Sequence, residues 1–283
     1  MTFQVQSAPV APVREPAVPD RGGRAAGLWR PDVLLPIGVL VVVVGLWQWA
    51  ASAGHLADYF PEPSKIVSQI GHLTVHGDMV SASGDSLFRM FVGFVVGAVT
   101  GVGVGLIAGV SRLLRNLVDP VQAFLHALPK IAIFPAIAVT LGFTDKARIL
   151  VIALSVFFPC YLNAMNGSLG MNPKWLWVAR NCQSKRRHTL LQVVLPAALP
   201  RTFVGIRIGL NVAFIMMFAT EIVGFGSGLG TDIMKSYNNG EYVAMYAYIT
   251  VIAVWGVACN RVLTVIVNRV LRGRPDWARQ LSA

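Results

Sequence analysis

The sequence predicts an all-α polytopic membrane protein of about six transmembrane helices, and three observations carry that expectation. The 283 residues are 55% hydrophobic and only 13% charged, a balance under which a soluble domain would expose large apolar patches. Six apolar runs, at about 33–53, 86–110, 120–143, 147–168, 201–224 and 243–264, approach or exceed the ~20 residues needed to cross ~30 Å of hydrocarbon. The net charge of +11 lies in short runs between them. Charge distributed in that way signals topology rather than a nucleic-acid-binding face, so no nucleic-acid partner is expected.

Residues 1–30, rich in Pro, Ala, Val and Arg and without periodicity, read as a disordered cytoplasmic tail. Ala51-Ser52-Ala53 mimics a signal-peptide cleavage site, but the apolar run before it is too long and too far from the N-terminus, which favours an uncleaved first span. Arg14, Arg21, Arg24 and Arg30 place the N-terminus inside, and Asp58, Glu62, Asp78 and Asp85 against Lys65 place the next loop outside. Arg112 and Arg115 mark the inside again, Asp232 and Glu241 flank an outside loop, and Arg261, Arg269, Arg272 and Arg274 close the chain inside. Six spans with both termini cytoplasmic satisfy every loop except the short Asp145-Lys146-Arg148, which is one charge too positive for the outside. The membrane domain is then 31–273, with a cytoplasmic tail at 274–283. Within the first outer loop, Ser64 is a candidate cap for a short amphipathic helix through Ile66, Val67, Ile70 and Leu73, expected at the membrane surface. There is no internal repeat.

In the second span, Gly93, Gly97, Gly101, Gly105 and Gly109 recur every fourth residue and so share one helix face, where another backbone can approach closely. That face serves either packing inside the subunit or a dimer seam; Gly103 is off it. The third span holds Pro129 and Pro135 with Lys130 between them. A continuous helix from Asp119 carries Lys130 about 16 Å deep, near mid-membrane. A lysine there costs at least about 2.5–3.5 kcal/mol, so it is expected to face the bundle interior or a water-filled cavity. Glu221, roughly 21 Å along its helix beyond Arg207, is comparable but nearer the outer face. Each either lines a translocation path or forms a structural ion pair. Asn163 is a weaker path candidate, as is Asn166, because interhelical hydrogen bonding explains both equally well.

Other chemistry is excluded. Cys160, Cys182 and Cys259 lack metal-ligand spacing and read as reduced thiols. His72 and His76 are four residues apart without a third ligand, so no metal site is expected. No GxxxxGK[ST] loop cradles a phosphate, so the chain cannot hydrolyse ATP unaided.

The stretch from Pro173 to Pro200 is different in kind. It carries Lys174, Arg180, Lys185, Arg186 and Arg187 and no acid. Leu176, Ala179 and Cys182 recur at helical spacing, and Leu190, Leu191, Val194 and Leu195 form a second apolar set. Ser184 is the expected N-cap of that second helix, and Pro196 and Pro200 are expected to stop and redirect the chain. The reading is a cytoplasmic helix-turn-helix between two spans.

With Ala179-Arg180, the Ser184-Lys185-Arg186 turn and Val193-Val194-Leu195-Pro196-Ala197-Ala198-Leu199-Pro200, the segment resembles the coupling loop of permease subunits in binding-protein-dependent ABC importers. From Tyr59 onward the chain is similar to their nitrate/sulfonate/taurine (bicarbonate) branch, through Pro61-Glu62-Pro63-Ser64, Ser86-Leu87-Phe88-Arg89, Gly205-Ile206-Arg207 and Glu221 followed by Gly228-Leu229-Gly230. Two positions depart from the family's loop: Trp177 stands where a Glu is usual and Gln183 where a Gly is usual. A Gln resists positive φ more than a Gly, so the turn is expected to take another angle or to start its second helix earlier. Trp177, beside Trp175 and Val178, offers the ATPase an apolar anchor, unless it packs against neighbouring spans.

The resemblance implies a type I ABC importer permease fold in the bacterial inner membrane, working as a homodimer among membrane lipid. Its implied partners are two ATPase subunits, which bind ATP and Mg, and a periplasmic or lipid-anchored solute-binding protein; this subunit itself needs no cofactor. Coupling falls to Trp177, Val178, Ala179, Arg180, Cys182, Gln183, Ser184 and Pro196, with Lys130, Glu221 and Asn163 as path candidates. The implied solute is a small oxyanion such as nitrate, an aliphatic sulfonate or taurine, with a neutral heterocycle such as a pyrimidine precursor as the alternative. A stand-alone secondary transporter or channel would also explain intramembrane charge, but it predicts inverted repeats that the sequence lacks. A membrane enzyme would need convergent His, Asp or Glu at one depth, and these residues are scattered.

Overall fold

Pro, Gly and Ser break the apolar runs into segments, and each segment is a helix in the computed structural model, which describes residues 31–271 apart from Asp58 and Phe225. The tails expected at 1–30 and 274–283, Arg274 included, lie outside the described residues. Residues 1–46 and 47–283 form two units. In the first, helix α1 (Pro31–Ser52) begins, and Leu35, Val39, Leu40, Val41 and Leu46 are among its exposed side chains. The second unit holds the end of α1 and everything after it.

There α2 (Pro63–His76) starts on a proline, whose fixed φ suits the first helical position. Ser64 therefore does not cap the helix, as the sequence suggested; Glu62 holds the cap position, and Lys65, 2.7 Å from it, keeps the Glu62 carboxyl below its usual range. Ile66, Ile70 and Leu73 pack into a cluster with Leu229, Ile233, Ala244 and Tyr248, whereas Val67 points away and is exposed.

The centre of the fold is three long helices: α3 (Met79–Val110), α6 (Asp145–Leu169) and α9 (Leu195–Val223). Helix α3 starts seven residues before the expected span, so Asp85 lies on a helix rather than in a loop. Gly93, Gly97, Gly101, Gly105 and Gly109 all face α6, and a Cβ on any of them would come within 2.7 Å of an α6 atom. With side-chain volume gone from that face, backbones meet and dispersion contacts accumulate without a hydrophobic driving force. Met90, Ile152, Val156, Cys160, Leu210 and Met217 fill the three-helix core.

The expected third span is broken. Helix α4 (Arg112–Ala127) and helix α5 (Lys130–Leu141) meet at 95°. Pro129 causes the break: its ring bars the helical conformation at Leu128, which is extended at φ −79° and ψ 134°. The depth assigned to Lys130 assumed one straight helix, and that assumption fails here.

Helices α7 (Pro173–Asn181) and α8 (Arg186–Thr189) follow α6, and α10 (Leu229–Asn238) and α11 (Tyr242–Val270) follow α9. Among the described residues, four helical stretches are long and apolar enough to cross a membrane, and the bent α4–α5 pair would make a fifth. The sixth expected span falls on α1, 22 residues from Pro31 to Ser52.

Candidate functional site

Helix α6 runs about 36 Å at 1.5 Å per residue, and each of its ends carries a concentration of polar groups. At its start, where α3 begins and α9 ends, lies a buried charge cluster. Glu221 is 0% exposed. Its carboxylate accepts from Arg89 Nη1 at 3.1 Å, from Ser86 Oγ at 2.9 Å and from the Gly230 amide at 2.9 Å. Arg89, 4% exposed, also donates from Nε to Asp145 at 2.6 Å, and from Nη1 and Nη2 to the Ser227 carbonyl and hydroxyl, each at 2.8 Å. Ser227 Oγ donates to Asp85, and Arg148 lies 3.8 Å from Asp145 and donates to the Ser227 carbonyl at 3.4 Å. Two buried guanidiniums thus meet three carboxylates through a short loop. The loop fits because Gly228 is at φ +126°, and any Cβ there would lie 2.5 Å from Glu221 Oε1.

Of the two readings open for Glu221, its burial matches a structural ion pair within one chain. Sequence reasoning did not single out Arg89, Asp145 or Arg148 as its partners. A signal existed, since an arginine inside an apolar run demands a counter-charge.

At the far end of α6, Asn172 Oδ1 accepts from the Lys174 amide at 3.0 Å and caps α7, and Pro173 takes the first helical position. Leu176 packs against the cluster of Leu106, Val194 and Ala198, and Ala179 is buried. Trp177 is 67% exposed, so it does not pack against neighbouring spans; Trp175 and Val178 are exposed as well. Cys182 is exposed too and shares with Trp175, Val178, Ala179, His188 and Val193 an open hollow of about 710 Å³ between α7 and the chain that returns past it. Among the described residues, Lys174, Arg180, Lys185, Arg186 and Arg187 form no ion pair.

Helix α7 ends in a Schellman motif. The Ser184 amide bonds the Ala179 carbonyl at 3.0 Å, and the Gln183 amide bonds the Arg180 carbonyl at 2.9 Å. Gln183 occupies the left-handed position at φ +50°, and it is the one non-glycine with positive φ among the described residues. The expected change of angle does not occur: two hydrogen bonds, half-buried Leu176 and buried Ala179 hold the turn that a glycine would adopt freely. Ser184 is not the cap of the next helix, because Lys185 takes that position; Thr189 Oγ1 donates to Ser184 Oγ at 3.2 Å.

Pro196 and Pro200 do not redirect the chain either. Helix runs from Arg186 to Val223 through a π-helical turn, Leu190–Val194. That wider turn lies where the Pro196 ring would crowd the carbonyl of Gln192, and it absorbs the mismatch. The corner is made at Cys182–Lys185 instead.

Lys130 begins α5, with Nζ 5.4 Å from the ring centroid of the buried Phe158, and makes no ion pair among the described residues. Asn163 donates to the Pro159 carbonyl at 2.8 Å and packs against Gly205, so it sits at the α6–α9 contact. Among the described residues no group of three or more His, Cys, Asp or Glu could hold a metal ion.

Residues 101–273 match the family model of the binding-protein-dependent transport system inner membrane component. The chain is 32% identical over 262 residues to the aliphatic sulfonates transport permease protein of Bacillus subtilis (strain 168), covering 92% of this chain and 94% of that one. It is 27% identical to the taurine transport system permease protein of Escherichia coli (strain K12), covering 79% and 82%, and 26% identical to the nitrate import permease protein of Leptolyngbya laminosa, covering 81% and 85%. Its fold is similar to a chain of the inward-facing MetNI methionine ABC transporter, with a TM-score of 0.59 at 21% identity, over 68% of this chain and 96% of that one.

Proposed function

The chain belongs to the family of binding-protein-dependent transport system inner membrane components, the ABC importer permeases, and we propose that within its nitrate/sulfonate/taurine branch it forms the membrane path for a small oxyanion. The chain works as a homodimer in the bacterial inner membrane, with two ATPase subunits on the cytoplasmic side and a solute-binding protein outside. The printed functions of its relatives support the oxyanion. Lys130 supports it too, as a half-exposed cation beside a broken helix with no acid paired to it.

One observation carries the coupling role: the segment between α6 and α9 holds two exposed tryptophans on a helix clamped at both ends. Ridges of this kind suit a groove on a partner, where aromatic anchors dominate binding energy. ATP-driven closure of the ATPases would swing α7, and the unbroken helix from Arg186 to Val223 would carry the motion to the cluster end of the bundle. The departure at Trp177 then replaces a charge-assisted contact with an apolar one.

The test is Trp177→Ala in the purified complex. ATPase co-elution should weaken by about 2 kcal/mol, roughly thirtyfold in Kd, while the unfolding temperature stays unchanged. Undiminished co-elution with undiminished transport would pass the docking role to Ala179 and Cys182.

A further inference from the structure

An open hollow of about 560 Å³ lies between α9 and α11, lined by Arg207, Asn260, Arg261 and Thr264 together with Gly256 and the apolar Ala253 and Val257. No acid lines it. Arg207 Nη2 donates to Thr264 Oγ1 at 2.8 Å, and Thr264 in turn donates to the Asn260 carbonyl at 2.8 Å. Asn260 Nδ2 donates to Asn211 Oδ1 at 2.9 Å and to the Gly256 carbonyl at 3.1 Å, which engages both of its hydrogens and ties α11 to α9. Both guanidiniums are exposed, and neither makes an ion pair among the described residues.

Position makes this arrangement expensive unless it is occupied. Arg207 is about 18 Å along α9 from Leu195, and Arg261 about 14 Å along α11 from Val270, at 1.5 Å per residue. Both lie within helices apolar enough to span a membrane. Arg207 lies six residues inside the expected span 201–224, where a charge facing lipid is unfavourable, and two like charges on one hollow repel each other. An anion in the hollow removes both penalties. Guanidinium forks match the paired oxygens of a trigonal or tetrahedral oxyanion, and the amides and the hydroxyl network fix their orientation. A cation would meet two like charges there.

We infer that the α9–α11 hollow is an oxyanion-binding site, held by Arg207 and Arg261 and supported by Asn211, Asn260 and Thr264. As a solute site it rests on the import reading above. It lies toward the same end of the bundle as α7, so the solute meets it on the release side. The same chemistry fits the phosphate of a lipid headgroup.

Phenylglyoxal labelling of the full-length permease in nanodiscs, read by peptide mass spectrometry, separates these sources. In phosphatidylcholine discs, ethanesulfonate should lower labelling of Arg207 and Arg261 several-fold and leave Arg112 and Arg115 unchanged. Protection that appears only on adding phosphatidylglycerol assigns the site to a headgroup phosphate. Equal labelling in every condition overturns the site, as does complete resistance to labelling without any anion, which would put a protein surface over the hollow. In cells with the partner proteins, Arg207→Gln should lower uptake of the sulfonate about tenfold, the loss of one charge-assisted pair, and Arg207→Lys should restore part of it. Normal sulfonate uptake by Arg207→Gln rejects the solute site and leaves the importer standing. No uptake of any oxyanion by the unmodified system rejects the oxyanion reading itself, whatever the labelling shows.

Discussion

The two ends of α6 treat charge in opposite ways. At its start, Arg89, Arg148, Glu221 and Asp145 exchange short ion pairs, with Arg89, Arg148 and Glu221 almost without exposed surface. At its finish, the five cations from Lys174 to Arg187 stand without ion pairs among the described residues, beside exposed Trp175 and Trp177. The first arrangement fixes three helices and a glycine loop into one geometry, because a buried charge is tolerable only with its partners in place. The second leaves surface available, because its groups gain little from one another. The proposed coupling role needs both: a rigid body to turn, and a free face by which to turn it.

The largest expected effect breaks the rigid end. Glu221→Leu leaves the Arg89 guanidinium buried with one partner gone, which should cost about 3–5 kcal/mol of stability in thermal unfolding of the purified protein. Arg89→Met combined with Glu221→Leu should be milder than the sum of the single changes, since the orphaned charge is then absent as well. A loss below about 1 kcal/mol for Glu221→Leu would class the cluster with ordinary surface ion pairs and dissolve the contrast between the two ends.

Lys130 sharpens the comparison because it belongs to neither end. Among the described residues it is a cation without an ion pair, like those from Lys174 to Arg187, yet it rests on a buried aromatic ring. Lys130→Met should change stability by no more than about 1 kcal/mol, the scale of one cation–π contact, while reducing uptake of an anionic solute. Full uptake with reduced stability would make Lys130 a structural residue.

The apolar spans were legible because hydropathy is local and every residue of a span carries the signal. Proline was harder to read. Pro129 looked like a kink within one helix but breaks it, because it bars helix at Leu128; Pro196 looked like a stop but is absorbed by the π turn before it. Sequence alone does not say whether neighbouring structure will satisfy the backbone groups a proline frees. The charge cluster was the least legible part. Glu221 stood out for its depth, but its partners Ser86 and Arg89 lie 135 and 132 residues away, and only packing of α3 against α6 and α9 brings them together. The five glycines of α3 announced that packing, though not which helix would receive it.

The smallest effect concerns Gln183, where the coupling end departs from what a flexible corner would use. Its left-handed backbone costs a non-glycine residue roughly 1–2 kcal/mol, offset by the two Schellman hydrogen bonds and the packing of Leu176 and Ala179. Gln183→Gly removes that strain but adds freedom to the unfolded chain, so its net gain should stay within about 1 kcal/mol. Gln183→Val moves the other way, because a β-branched side chain tolerates positive φ least. Hydrogen exchange at the Gln183 and Ser184 amides reads both changes without needing the partner proteins: slower than the parent for Gly, faster for Val. Because the cluster lies at the far end of α6, neither substitution should alter exchange of the Gly230 amide, which Glu221 holds. If Gln183→Val loosened Gly230 as well, the two ends would be one cooperative unit, and the division into rigid body and free face would fail.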